Sequence, residues 1–323
     1  MTALVRGTDP MRGGDPMRGG GLRGAGPVRG ADPMRAADPV RGGWRLTLRE
    51  LTGSRLAVVG LGILLFIAVF CFVAPIFYHA DLINTDMAAA NLSPASGRPL
   101  GTDNAGLDVL GELMAGGQAA LKVGVLAALT GIVLGSLLGA VSGLIGGSVD
   151  ALLMRAADAF LSVPFLFVVL ILAKRYGASV LSLSLIIGGF TWPVPARLVR
   201  GEVLVLRERD FVLAARMAGS GRWRLIVRHL LPNALGVVIV NATFQIADAI
   251  LTIAYVGFLG FGLHYPQLDW GDMLSTAVGN SALLNGYWWQ VYPVGACIVL
   301  TVLAFNFVGD ALRDTVDPRL RRR

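Results

Sequence analysis

Long uncharged stretches alternate with short charged ones along this chain, and the alternation predicts membrane-crossing helices. About 20 apolar residues cross a bilayer as a helix. Residues 56–74 and 123–145 carry no charge at all, and further spans are predicted over 152–173, 178–196, 233–262 and 291–308. Arg155 and Asp158 open the third span three residues apart, so they share a helix face and predict a local ion pair. Pro193 and Pro195 should distort the end of the fourth. The expected fold class is an all-α polytopic membrane protein with six transmembrane helices. Its membrane domain covers 46–323 and follows a low-complexity tail over 1–45.

Two spans carry finer patterns. In the second, Gly131, Gly135, Gly139 and Gly143 recur every fourth residue, one step after Ala127, which makes a smooth ridge for close helix packing. In the fifth, Asn241, Gln245, Asp248 and Thr252 follow at intervals of four, three and four and so share one face. Polar groups at membrane depth are costly unless they line water or find partners. The stripe is therefore either a wall of a translocation path or a hydrogen-bonded seam between helices. Tyr287, Trp288, Trp289 and Tyr292, just before the sixth span, read as an interfacial aromatic belt.

Composition agrees with this picture: 54% of the 323 residues are hydrophobic and 15% charged, with a mean hydropathy of +0.65. A soluble domain needs more polar surface. The formal net charge of +7 has a topological meaning once its arginines are located. Ten precede Leu56, whereas Arg98 stands among acids between the first two spans. Arg197, Arg200, Arg207, Arg209, Arg216, Arg222, Arg224 and Arg228 fall between the fourth and fifth spans, and Arg319, Arg321, Arg322 and Arg323 close the chain. Six spans place all three clusters on one side, and positive charge predicts that side to be the cytoplasm. Lys174 and Arg175 are the exception. The charge reads as topology and lipid contact, with no nucleic-acid partner.

The tail repeats D-P-M-R-G-G from Asp9 and Asp15, with variants from Gly26, Asp32 and Asp38. Proline and glycine in every unit oppose helix growth, and so few apolar side chains predict disorder. No apolar core follows the first basic residues directly, so this start does not read as a secretory signal. Cys71 and Cys297 lie in apolar spans and read as small buried hydrophobes rather than a disulfide. With three histidines and two cysteines, no metal site is expected. His79 and His264 fall on one predicted side and His229 on the other. Neither Ser142 nor Ser162 therefore gains an evident histidine partner for nucleophilic catalysis, and the chain is not expected to be an enzyme.

Between the fourth and fifth spans, a coupling segment over about 200–230 alternates apolar anchors with charges. Leu204, Leu206, Phe211, Ala214 and Ala215 anchor its first part, Gly219 and Gly221 break it, and Trp223 resumes the run that Pro232 ends. A helical hairpin lying across the membrane face follows. Its motifs are W-P-V-P-A-R-L-V-R-G-E-V-L over 192–204, R-E-R-D-F-V-L-A-A-R-M-A-G over 207–219 and R-H-L-L-P-N over 228–233. Together they resemble the permeases of ATP-binding-cassette importers, specifically the C-type subunit of the dipeptide and oligopeptide branch. P-L-G-T-D-N-A-G-L-D-V-L over 99–110, F-L-G-F-G-L over 258–263, P-Q-L-D-W-G-D-M-L over 266–274 and the stretch 301–320 are similar to the same family. The likeness covers about 45–321. It departs at Leu213 and Ile253, where the family commonly has glutamate, and at Leu107, where it commonly has arginine.

The resemblance implies a type I importer permease fold and uptake of di- or oligopeptides into the cytoplasm across the inner membrane. It implies a second permease subunit, two ATPase subunits and an extracytoplasmic binding protein as partners, besides membrane lipid. No cofactor is expected in this chain; ATP and magnesium would sit on the partner subunits. The ATPase-coupling residues it implies are Glu208, Asp210, Leu213, Ala214, Ala215, Gly219, Arg222 and Trp223, within the 202–232 loop. The fifth-span stripe would be the translocation path. Alternatives are the same fold importing nickel chelates, haem or another small solute, and an ATP-independent channel or secondary transporter using Asp248.

Overall fold

The computed structural model describes residues 54–263 and 266–316. The tail over 1–45, the closing arginines from Arg319 and His264 lie outside them. Helix α1 (Arg55–Phe72) runs into the short α2 (Ala74–Phe77). A loop over 78–108 with a 3-10 turn at Met87–Ala89 leads to α3 (Val109–Ile145), which spans 37 residues. At 1.5 Å per residue α3 is about 55 Å long, against a hydrocarbon core of about 30 Å. It therefore projects well beyond any membrane that it crosses. Asp108 starts it by accepting the Gly111 N–H at 2.8 Å. At its other end Gly146, with φ +68°, reverses the chain.

Next come α4 (Gly147–Ser162), α5 (Phe165–Tyr176), α6 (Val180–Thr191) and α7 (Pro193–Leu206). The stretch predicted as a third span is not one helix. It bends by 83° between α4 and α5. Pro164 has no N–H to continue a helix and drives Val163 into extended backbone (φ −86°, ψ 132°). At Pro193 the α6–α7 pair bends by 45°, a gentler break because Trp192 keeps helical dihedrals. Four helical segments are long and apolar enough to cross a membrane, and each bent pair taken as one span brings the number to six.

The ion pair expected inside the third span is not formed. Asp158 pairs with Arg197 of α7 instead. That contact ties α4 to α7, where Phe160 also meets Phe190 and Trp192 at centroid distances of 5.1 and 5.4 Å.

The glycine ridge lies against α6 and α7. A Cβ on Gly139 would stand 2.3 Å from the Ala196 carbonyl oxygen, one on Gly135 2.6 Å from that of Trp192, and one on Gly143 3.0 Å from that of Arg200. Gly188 of α6 returns the approach, 2.5 Å from the Ala127 oxygen by the same measure. Only glycine lets backbones come this close. Beyond the ridge, Asp150 holds α7 through a two-pronged pair with Arg200, Nε–Oδ1 2.5 Å and Nη2–Oδ2 2.6 Å, and also accepts from Ser142.

Helices α8 (Asp210–Met217) and α9 (Arg222–Leu225) precede a π turn at Ile226–Leu230 and then α10 (Leu231–Phe258). The π turn sends the Leu231 N–H to the Ile226 oxygen, so the register widens just before Pro232, which has no N–H to give. α10 packs on α3 and α12 (Tyr292–Val316), and α12 on α1. There Gly60 leaves room for the Ala304 carbonyl, 2.9 Å from an added Cβ.

At the Val109 end of α3, α11 (Trp270–Gly279) and the 3-10 turn Trp288–Gln290 close over the loop. Trp270 is buried against Gly116 and Gly117 and donates its indole N–H to Leu113 O at 2.9 Å. Trp289 does not belong to an aromatic belt. It is buried, and its indole N–H reaches the Thr102 carbonyl at 3.1 Å, whereas Trp288 and Tyr292 stay exposed. Asp269 caps α11 and also accepts from Leu263 N–H. Burial pushes its carboxyl up despite those hydrogen bonds. Tyr78 donates to Asp108 at 2.7 Å. Burial first, and then that bond, push its hydroxyl up to about 12.

Candidate functional site

Asn241, Gln245, Asp248 and Thr252 of α10 all line one cavity of about 420 Å³. Gln245 is brought there by α3 and α6 together. Gly131 leaves its amide room, 2.6 Å from an added Cβ, and the Nε2 donates to Thr191 O at 3.3 Å. The Gln245 Oε1 and Asn241 Oδ1 are buried without a hydrogen-bond partner among the described residues. Such atoms are costly unless something else supplies donors. Thr252 bonds back to the Asp248 carbonyl at 2.7 Å and leaves the Asp248 side chain, exposed in this single chain, to the opening. One contact of the stripe is thus a helix seam, and the rest faces the cavity.

The opposite wall is aromatic and was not evident from the chain. Phe160, Phe165 and Phe190 come from α4, α5 and α6, while Phe244 and Tyr255 flank the stripe on α10. Only the last two had a signal in the sequence, through helical spacing next to the polar positions. The cavity can therefore hold an organic solute by apolar contact while amides and a carboxylate fix its polar ends.

The segment between α7 and α10 is a helical hairpin with a buried side and a bare side. Val212, Leu225, Ile226 and Leu230 pack with Val199 and Val203 of α7 and Ala140 of α3. Phe211, Leu213, Met217 and Trp223 point away; Met217 is 86% exposed and Trp223 62%. Ala214, Gly219 and Arg222 are exposed as well, and Ala215 is half-buried. Asp210 is the first residue of α8, where a negative charge suits the helix dipole. Glu208 pairs with Arg207 at 3.0 Å. Gly219 sits at φ +81° with nothing within 4 Å of an added Cβ. It ends α8 by sending its N–H to Arg216 O while Ser220 reaches Ala215 O.

Hairpin and cavity share one rod. The segment Arg222–Phe258 runs as a single 37-residue span through the π turn, so about 39 Å of helix separates Arg222 from Asp248.

Residues 131–322 match the model of the binding-protein-dependent transport system inner membrane component family. The chain belongs to that family. Residues 43–94 match the N-terminal transmembrane domain of oligopeptide transport permease C, which places this permease in the C-type dipeptide and oligopeptide branch, with the type I importer fold. The oligopeptide transport system permease protein OppC of Salmonella typhimurium is 39% identical over 280 residues, which is 86% of this chain and 92% of that protein. The dipeptide transport system permease protein DppC of Bacillus subtilis is 35% identical over 274 residues, 85% of each. The permease is thus a multi-pass inner-membrane subunit of a larger transporter.

Proposed function

We propose that this permease forms half of the gate of an ATP-driven importer of di- or oligopeptides, with a second permease subunit as the other half. Two ATPase subunits grip the hairpin, an extracytoplasmic binding protein delivers the peptide, and both termini face the cytoplasm. ATP and magnesium act on the ATPases, and this chain makes and breaks no bonds.

One observation carries the reading: the arm of the hairpin that bears exposed Trp223 is continuous, through the Arg222–Phe258 rod, with the wall that holds Asn241, Gln245, Asp248 and Thr252. A push on Trp223 acts on the rod itself, and a push on Met217 reaches it through the buried cluster at Val212 and Leu225. Switching between two packed arrangements then opens the cavity to one side or the other. Within the cavity, amide groups and the Asp248 carboxylate suit the backbone and ammonium of a peptide, and the phenyl rings accept its side chains.

The test places Met217→Asp and Trp223→Asp in the intact transporter and measures labelled tripeptide uptake and recovery of the ATPases on purification. Both should fall while membrane insertion stays unchanged. Uptake that persists with the ATPases absent would refute the reading, and uptake that unlabelled peptides do not compete away would refute its substrate.

A further inference from the structure

At the Val109 end of α3, remote from the hairpin, lies a second cavity of about 240 Å³ between the loop, α3 and α11. Its polar lining includes Thr85, Asp103, Glu112, Asp272, Thr276 and Gln290. Glu112 is only 6% exposed. It lines the cavity and, among the described residues, makes no side-chain hydrogen bond or ion pair; the described charged groups acting on it are Asp103, Asp272 and Asp108, all negative. Asp103 and Asp108 are already engaged, the first by the Ala105 and Leu107 N–H groups, the second by Gly111 and Tyr78. No lysine, arginine or histidine among the described residues lines the space.

A carboxylate only 6% exposed, with no partner among the described residues and with other acids nearby, is a costly arrangement. A proton alone would neutralise Glu112, yet a neutral acid needs no open chamber beside it. The chamber exceeds the share of one water, about 30 Å³. A metal ion is the wrong occupant: among the described residues no three acidic, histidine or cysteine side chains come together closely enough to hold one. Acids dispersed around a larger space suit a cation whose N–H donors are spread out. Gln290 has committed its amide nitrogen to Asn91 and Thr102, so what it has left is an acceptor.

We infer that this cavity is a binding site for an organic cation, an alkylammonium or guanidinium group, with Glu112 as its counter-ion. The cation comes either from a small solute or from a lysine or arginine of a protein seated on this face.

The probe is agmatine, which carries both groups, titrated calorimetrically into the full-length chain in detergent at constant ionic strength. The wild-type chain should bind it, and Glu112→Gln should bind about tenfold more weakly, the loss typical of a charge-assisted contact. Tryptophan emission, to which buried Trp270 contributes, checks that this variant is folded. Thr276→Lys, at an exposed position of the lining, supplies a tethered ammonium and should block agmatine with every carboxylate in place. Repeating the titration on the assembled transporter separates the sources. Retained binding identifies a site open to solutes, and binding lost on assembly identifies a partner's side chain. A wild-type chain that takes up no agmatine, or a Glu112→Gln chain that binds it equally well, overturns the inference.

Discussion

Gly139→Ala tests the ridge on which the whole packing depends. The added methyl would stand 2.3 Å from the Ala196 carbonyl oxygen, where ordinary contact begins at 3.4 Å, so α3 and α7 are too close by about 1 Å. The methyl is fixed to the α3 backbone and the atom it meets is backbone, so no side chain can rotate aside. The helices must part, and a gap of about 0.5–1 Å forfeits a quarter to a half of each dispersion contact along the seam. Overpacking typically costs about 1–3 kcal/mol, while alanine in a helix interior returns about 0.5–1 kcal/mol over glycine. A net loss of about 1–2 kcal/mol is expected. Gly62→Ala on α1 is the control: nothing lies within 4 Å of the new methyl, so only the gain remains and the sign reverses. Unfolding in mixed micelles titrated with dodecyl sulfate, followed by tryptophan emission, measures both. If the two variants shift together, or Gly139→Ala is as stable as the wild type, the close-approach reasoning is wrong.

Two further outcomes follow from contacts away from the seam. Asp150→Asn breaks the two-pronged pair with Arg200, whose side chains are 18% and 32% exposed. It should cost about 1–2 kcal/mol, between surface and buried pairs, in the same unfolding assay, and little or no change would show the pair to be ornamental. Tyr78 has a raised hydroxyl, so its bond to Asp108 stabilises fully below the ordinary tyrosine value of 10 and is lost as pH climbs through about 12. The absorbance difference at the phenolate band between wild type and Tyr78→Phe should titrate near the higher value; titration at the ordinary one would disprove the contact.

Much of this architecture could be read from the chain, for reasons visible in particular residues. A four-residue glycine period has few uses other than close packing, and all four ridge glycines do face neighbouring helices. The polar stripe on α10 stood out because membrane depth makes each such residue expensive. Other features depend on distant partners. Asp158 had a cation three residues away, yet the bend at Pro164 and the return of α7 bring Arg197 nearer. Apolar flanks hid that bend within what read as one span. Trp289 resembles its neighbour Trp288 in sequence, and only the fold of the loop around Thr102 tells them apart. Glu112 looks like an ordinary acid in a first helical turn; the cavity that it lines is closed in part by α11, more than a hundred residues later.

The same long-range packing bears on how the proposed gate could work. Side-chain relays lose precision at each rotatable link, whereas a helix transmits displacement through its backbone. Here the hairpin's second arm and the cavity wall are one helix, and its only irregularity is a π turn that keeps hydrogen bonding across Pro232. α3 lies beside this rod and is locked to α6 and α7 at backbone distance. Relative motion between the two units would fall at the α3–α10 contact, where Gly131 and Gly124 meet Gln245 and Ile250 side chains rather than carbonyls as their nearest neighbours. Side chains can change rotamer and carbonyls cannot. The chain is therefore stiff along the rod and across the ridge, and compliant between them, at the edge of the cavity that contains Asp248.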